Sequence, residues 1–218
     1  MAVLQWDQTG ERFYETGVKK VVLYPFANKA YTKGVAWNGV TNITEKPSGA
    51  EPTALYADDI KYLNLMSVEE FGASLEAYTY PDEFAACDGS GSLLEGVSLG
   101  QQARQSFGLC YRTTIGNDES PEAGYKLHLV YGLLASPSEK AYASINDSPE
   151  AATFSWELTS TPVEVTGFKP TSIITIDSTK VSEKALQAIE AKLYGTESEE
   201  AALPLPNEVK TIMEGAAA

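Results

Sequence analysis

A nucleophile triad, a thiol dyad or a metal centre each needs a small set of side chains, and this chain supplies few of them. His128 is the only histidine among 218 residues. It stands between Leu127 and Leu129 in an alternating run, not in a loop, where catalytic groups usually project. That position reads as a structural or interface histidine before a general base. Cys110 with His128 is the single candidate thiol dyad, and no third residue is spaced to orient the ring. With one His and two Cys, only a carboxylate site for Ca²⁺ or Mg²⁺ remains open. The run Asp88-Gly89-Ser90-Gly91-Ser92 through Glu95 lacks the alternating ligands and the placed glycine of an EF-hand. It has no Lys and follows no buried strand, so it is not a phosphate cradle either. Glu76 and Glu157 fall on polar strand faces and are the one pair to weigh for a two-carboxylate glycosidase, but nothing sets their separation. Asp58-Asp59 and Asp118-Glu119 read as turn acids. No catalytic residue, cofactor site or metal ligand is assigned, and the chain reads as non-enzymatic.

Composition points the same way. Thirty acidic against 16 basic residues give a formal charge of −14, the reverse of what neutralising phosphates requires. Cys87 and Cys110 are too few for a disulfide framework, so both are expected reduced and packed. Met1 to Asp7 lacks a basic region followed by an apolar one, and no run approaches the roughly 18 apolar residues of a membrane span. The expectation is a soluble protein made in a cytoplasm. No linker divides the chain, so one domain over 1–218 is expected, with an N-terminal arm (1–18), a loop (45–53) and a C-terminal segment (196–218).

Such a domain must be built mainly from strands. The first is Lys20 to Tyr24, stopped by Pro25. Gly34 to Thr41 follows as strand around Asn38-Gly39, a hairpin turn or a bulge. Glu45 to Pro52 is loop by composition, and 54–65 is extended chain turning at Asp58-Asp59 without one clean apolar face. Four segments then alternate: 71–79 on Phe71, Ala73, Leu75 and Ala77; 106–115 on Phe107, Leu109, Tyr111, Thr113 and Ile115; 125–133 on Tyr125, Leu127, Leu129, Tyr131 and Leu133; 153–159 on Phe154, Trp156 and Leu158. Strands buried on one side specify an antiparallel sandwich or barrel. A last strand falls near 172–176. Ser136-Pro137-Ser138-Glu139 predicts a capped helix to about Ile145, and Pro81-Asp82-Glu83 another to about Cys87. The clearest helix is 183–194, capped by Ser182, striped by Leu186, Ile189 and Leu193, and closed by Gly195. Pro206 to Glu214 predicts a final turn or two. The fold class is mainly β with a few helices (α+β).

Several runs resemble the major tail proteins of long-tailed siphophages, mainly of Gram-positive hosts. They are Ala54-Leu55-Tyr56-Ala57-Asp58-Asp59, Tyr78-Thr79-Tyr80-Pro81-Asp82-Glu83-Phe84, Ser106-Phe107-Gly108-Leu109-Cys110-Tyr111-Arg112-Thr113, Tyr125-Lys126-Leu127-His128-Leu129-Val130-Tyr131-Gly132 and Thr153-Phe154-Ser155-Trp156-Glu157. The resemblance spans about residues 50–180. It implies a tail-tube-type β-sandwich or barrel with a flanking helix, six copies in a ring, and rings stacked into a conduit for genomic DNA. It further implies a virion location, in the phage tail, and as partners the chain itself, a tape measure protein inside the tube, and tail tip and terminator proteins. DNA would pass without specific binding, and the chain would not insert in a membrane.

Within that expectation, Glu76, Ser155, Glu157 and Thr159 are the candidate lumen-facing residues, because they share polar strand faces. Trp6, Phe13, Tyr14, Pro47 and Glu51 are candidate contacts between rings, and the C-terminal 196–218 segment is another, since these stretches lack domain-like periodicity. The rival expectation is a carbohydrate- or receptor-binding β-sandwich module of a tail or cell-surface complex. It requires exposed aromatic platforms, for which Trp6, Trp37 and the 12 tyrosines are the raw material.

Overall fold

A computed structural model describes residues 3–142, 144 and 151–217. Strands come first and helices last. They are β1 (Tyr14–Pro25), β2 (Val35–Ala36), β3 (Val40–Glu45), β4 (Ser48–Gly49), β5 (Pro52–Ala57), β6 (Ile60–Met66), β7 (Glu69–Glu70), β8 (Gly72–Ala77), β9 (Gly91–Leu94), β10 (Val97–Leu99), β11 (Phe107–Gly116), β12 (Gly124–Ala135), β13 (Phe154–Ser160) and β14 (Ile173–Asp177). Helices α1 (Glu183–Tyr194) and α2 (Pro206–Ala217) close the chain. The class is mainly β with two helices, as expected, although the helices form a packed pair instead of one flanking helix.

Eight strands make one sheet in the order β2-β1-β11-β12-β13-β8-β3, with β14 also paired to β12. All these pairings are antiparallel. The first half of β12 carries β14 and its last residues carry β13, so the sheet forks and curls. The fork is at Gly132, whose φ is +61° and where a Cβ would stand 2.1 Å from the Thr161 carbonyl oxygen. Only glycine fits there. The kink also changes the phase of burial. Leu127, Leu129 and Tyr131 face the helices, while Leu133 joins Val130 on the other side.

Two cores result. One lies inside the curled sheet around Trp37, Phe84, Phe107, Leu75 and Trp156. The other lies between the sheet and α1–α2, around Tyr24, Tyr131, Leu127, Ile189 and Leu193. Hence β11 and β12 are buried on both faces along most of their length, which corrects the one-sided burial expected from their alternation. In α1 the Ser182 side chain accepts from the Ala185 amide at 3.4 Å and Gly195 ends the helix at φ +77°. The boundaries match the capping pattern.

Several expectations are corrected. The arm is shorter than 1–18, because Tyr14 to Thr16 already pair with Gly116 to Thr114 of β11. Asn38-Gly39 makes neither a hairpin nor a bulge. It passes the chain from β2, which pairs with β1, to β3, which pairs with β8. The 45–53 stretch is not a free loop, since Ser48-Gly49 pairs with Glu69-Glu70 to form the base of a projecting hairpin. Asp82–Phe84 is one 3₁₀ turn, shorter than the helix expected to Cys87. Residues 136–142 are not helical; 143 and 145–150 lie outside the described residues. Here the Ser136 amide continues the sheet ladder by donating to the Glu157 carbonyl, and Lys140 is drawn to Asp88. Tertiary contacts override the local capping signal. The 196–218 segment also belongs to the fold, with Leu203 and Val209 in the core.

Candidate assembly surfaces

The β5–β6 hairpin is solvent-exposed along nearly its whole length. Asp58 and Asp59 have φ of +50° and +60°, as a two-residue hairpin turn of the mirror-image type requires. Six or seven residues per strand carry it about 20 Å from its base. Tyr56 and Tyr62 are 71% and 70% exposed, and Leu55, Ile60, Leu63, Leu65, Met66 and Val68 are exposed with them. Both faces are therefore apolar and open. A two-stranded hairpin is marginal alone in water, and an apolar one is also a pairing liability.

The arm adds Trp6 and Phe13, both exposed. Its base is held where the Gly10 amide donates to Asp118 at 3.0 Å and the Asn117 side chain donates to the Gly10 carbonyl at 2.9 Å. Tyr14 instead lies over Gly116. Pro47 and Glu51 are exposed at the hairpin base. A second hairpin, β9–β10, turns at Glu95-Gly96 and exposes Leu93, Leu94, Val97 and Leu99. Sequence reading missed it, although two apolar pairs flanking Glu-Gly are its signal.

The four residues grouped by alternation do share a surface. Glu76 is opposite Ser155, Glu157 opposite Ser74, and Thr159 opposite Gly72, with Asn42 and Thr44 of β3 on the far side of β8. Ala73, Leu75, Ala77, Trp156 and Leu158 point from the other face into the core. Glu157 and Thr159 are exposed, and Glu76 and Ser155 half-buried. Lys46 Nζ lies 2.7 Å from Glu157 Oε1, so the face carries two carboxylates and one ammonium.

Four of the residues weighed for chemistry, His128, Cys87, Cys110 and Asp88, are buried. The His128 ring stacks on Tyr111 at 4.7 Å between centroids and 7° between planes. Its Nε2 lies 3.0 Å from Thr113 Oγ1, and its Nδ1 3.6 Å from Glu45 Oε1. The Tyr111 hydroxyl donates to the same Glu45 carboxylate at 2.5 Å. Burial lowers the His128 pKa, against the opposing pull of Glu45 and Glu15. Cys110 lies in the helix-side core, away from the face that bears His128, and burial pushes its thiol up to about 12. Cys87 is free, buried and likewise pushed to about 12, by burial and then by Asp88. Asp88 is buried and accepts from Trp156 Nε1 at 3.1 Å and Lys140 Nζ at 2.7 Å, which makes it a packing anchor. Among the described residues no group of three or more His, Cys, Asp or Glu is arranged to hold a metal ion. No helix among them is long and apolar enough to cross a membrane.

Two of the three tryptophans are unavailable as binding platforms. Trp156 is fully buried, and Trp37 is buried with its Nε1 donating to the Thr79 carbonyl at 2.8 Å. Only Trp6, on the arm, is exposed.

No protein-family model matches the chain. No curated protein matches it in sequence. Among solved structures, a chain of the extended-state sheath–tube complex of an extracellular contractile injection system, PVC, aligns with 80% of this chain and 94% of its own length. The identity is 10% and the TM-score 0.32, too low for that likeness to bear on fold or function.

Proposed function

We propose that this chain is a non-enzymatic structural subunit that assembles with its own copies into six-membered rings, stacked as the tail tube of a long-tailed phage. The observation that carries the reading is the β5–β6 hairpin, whose two apolar faces find no cover among the described residues. Burying Tyr56, Ile60, Tyr62, Leu65 and Met66 against a neighbour would contribute about 25 cal/mol for each Å² of apolar surface removed from water. The exposed arm and the β9–β10 hairpin offer further contacts of the same kind. In this reading the β3-β8-β13 face lines the bore, a tape measure protein occupies it during assembly, and tail tip and terminator proteins cap the ends. Genomic DNA then slides past without being held, and the protein resides in the virion.

Negative-stain electron microscopy of the purified protein tests the proposal. Rings or tubes are expected for the native chain. Replacing residues 52–66 by a short Gly-Ser turn should leave the fold intact by circular dichroism and abolish the assemblies. A native chain that stays monomeric at every concentration tried would overturn the reading.

A further inference from the structure

The hairpin tip and one groove of the same chain carry opposite charges. The β1–β11 ladder breaks twice, between Thr16 and Lys19 and between Lys19 and Val22. At this bulge Lys20 takes a φ of +51°, a left-handed backbone that a lysine adopts only under constraint. Strain held at a bulge on an open strand marks a place where the chain re-aims a side chain. The side chain in question is exposed. Lys20 Nζ lies 5.2 Å from the centre of the Tyr194 ring, and among the described residues it has no carboxylate within 4.0 Å. Lys19 beside it is only in part neutralised, by the exposed Glu122 at 2.8 Å.

Beneath the two lysines runs a groove of about 730 Å³, with Val22, Val40, Tyr194 and Ala201 among its walls. It follows the seam where β3 comes alongside β1 without pairing to it. Among the described residues, Lys20 is thus the one of the two bulge lysines without a carboxylate partner, on a chain of net charge −14. The counterpart is at the hairpin tip, where Asp58 and Asp59 are exposed and likewise have no cation within 4.0 Å among the described residues. Tyr56, Ile60 and Tyr62 flank them. Lys61 is the single positive charge in the hairpin, so the tip stays acidic on balance.

We infer that the Asp58-Asp59 tip of one copy docks on the Lys19-Lys20 bulge of the next, with Ile60, on the face it shares with Ala57, entering the groove beside Tyr194. This inference deepens the self-assembly reading and rests on it. Tip and groove are different surfaces, so the contact is head to tail and repeats from copy to copy. Charge at such a contact sets the partner and the register, while the apolar flanks supply the burial.

Charge reversal and its restoration test the contact, read by sedimentation velocity and electron microscopy. Asp58→Lys with Asp59→Lys should raise the protein concentration needed for assembly about tenfold or more, and Lys19→Glu with Lys20→Glu should do the same. The chain carrying all four substitutions restores the opposite-charge pairs between copies and should assemble again. Four-substitution chains no better than either double variant would overturn the docking, as would double variants that assemble like the native protein. A mixture of Asp59→Cys and Lys20→Cys proteins under mild oxidation gives a second readout independent of folding strain. A heterodimeric disulfide is expected, and its absence in native-like assemblies overturns the contact. Assembly of the native chain in the same runs separates the two ideas, because a native chain that never assembles removes the self-assembly reading itself.

Discussion

At the scale of single residues, His128 is the group whose protonation the fold opposes. The imidazole is enclosed by Tyr111 and Thr113 of β11, Thr175 of β14 and Glu45 of β3, with Lys126 on its own strand and Glu15 of β1 near by. Burial favours the neutral ring more strongly than the two carboxylates favour the charged one, so the folded pKa lies below the unfolded value of about 6.5. The unfolded chain therefore binds the proton more readily. The stabilising contribution of the neutral ring is fully present above the unfolded pKa and is lost as pH falls through the folded one. Urea unfolding between pH 7.5 and 5 should show stability declining below about pH 6.5. His128→Gln should flatten that decline while carboxylate-dependent losses at lower pH persist. An unchanged slope in the variant would mean that the ring titrates alike in both states. The histidine's place in a strand interior was legible from Leu127 and Leu129 on either side. Its partners were not, because Glu45 arrives from a strand more than eighty positions away.

At the scale of elements, legibility follows how local the determinants are. Helix α1 was readable to the residue because Ser182, the Leu186-Ile189-Leu193 stripe and Gly195 all act within one segment. Strands β8 and β13 were readable by alternation because they form the outer wall of one core only. Segment 136–142 misled because its capping box is a local preference of about 1 kcal/mol. The Lys140–Asp88 pair and the Ser136–Glu157 ladder bond outweigh it. The two-sided burial of β11 and β12 was hidden for a different reason: alternation reports that one face is apolar, not that Gly108 and Cys110 on the other face of β11 lie beneath the helices, nor that His128 and Val130 on the other face of β12 close on the curled-sheet core. Gly132 shows how one residue decides an element. Its left-handed backbone directs β12 from β14 to β13 and moves Leu133 from one core to the other. Gly132→Ala combines a conformational cost of about 1–2 kcal/mol with a clash against backbone at Thr161 that no side-chain motion relieves. A loss of about 3 kcal/mol or more is expected in denaturant unfolding, and near-native stability would show that the fork tolerates another backbone path.

At the scale of the whole molecule, the charge distribution links the fold to the proposed conduit. The net charge of −14 is spread over a barrel-like sheet, a helix pair and two hairpins, so most of it cannot act on anything in a bore. Screening confines each charge to about 8 Å at physiological salt. In the proposed tube only the face lining the passage would matter, and if that face is β3-β8-β13 the charges are Glu76 and Glu157, the latter already paired with Lys46. The wall is then mildly repulsive, dominated by the hydroxyls of Thr159, Ser155 and Thr44. The one cation such a surface offers, Lys46, is already paired with Glu157, so phosphates gain little by exchanging counterions for it. Glu76→Lys with Glu157→Lys reverses this, and it leaves Lys46 beside a second ammonium. Six copies per ring would present a basic collar at each level of a stacked tube. Both positions point away from the core, so folding and assembly should persist, with the same sedimentation and the same particles in electron microscopy. Assembled native protein is expected not to retain double-stranded DNA. The reversed variant should retain it at 50 mM salt and release it on going to 200 mM, because each phosphate contact adds close to one power to the salt dependence. Variant tubes that ignore DNA at low salt would place Glu76 and Glu157 away from the passage, on the outer wall or at a boundary between copies.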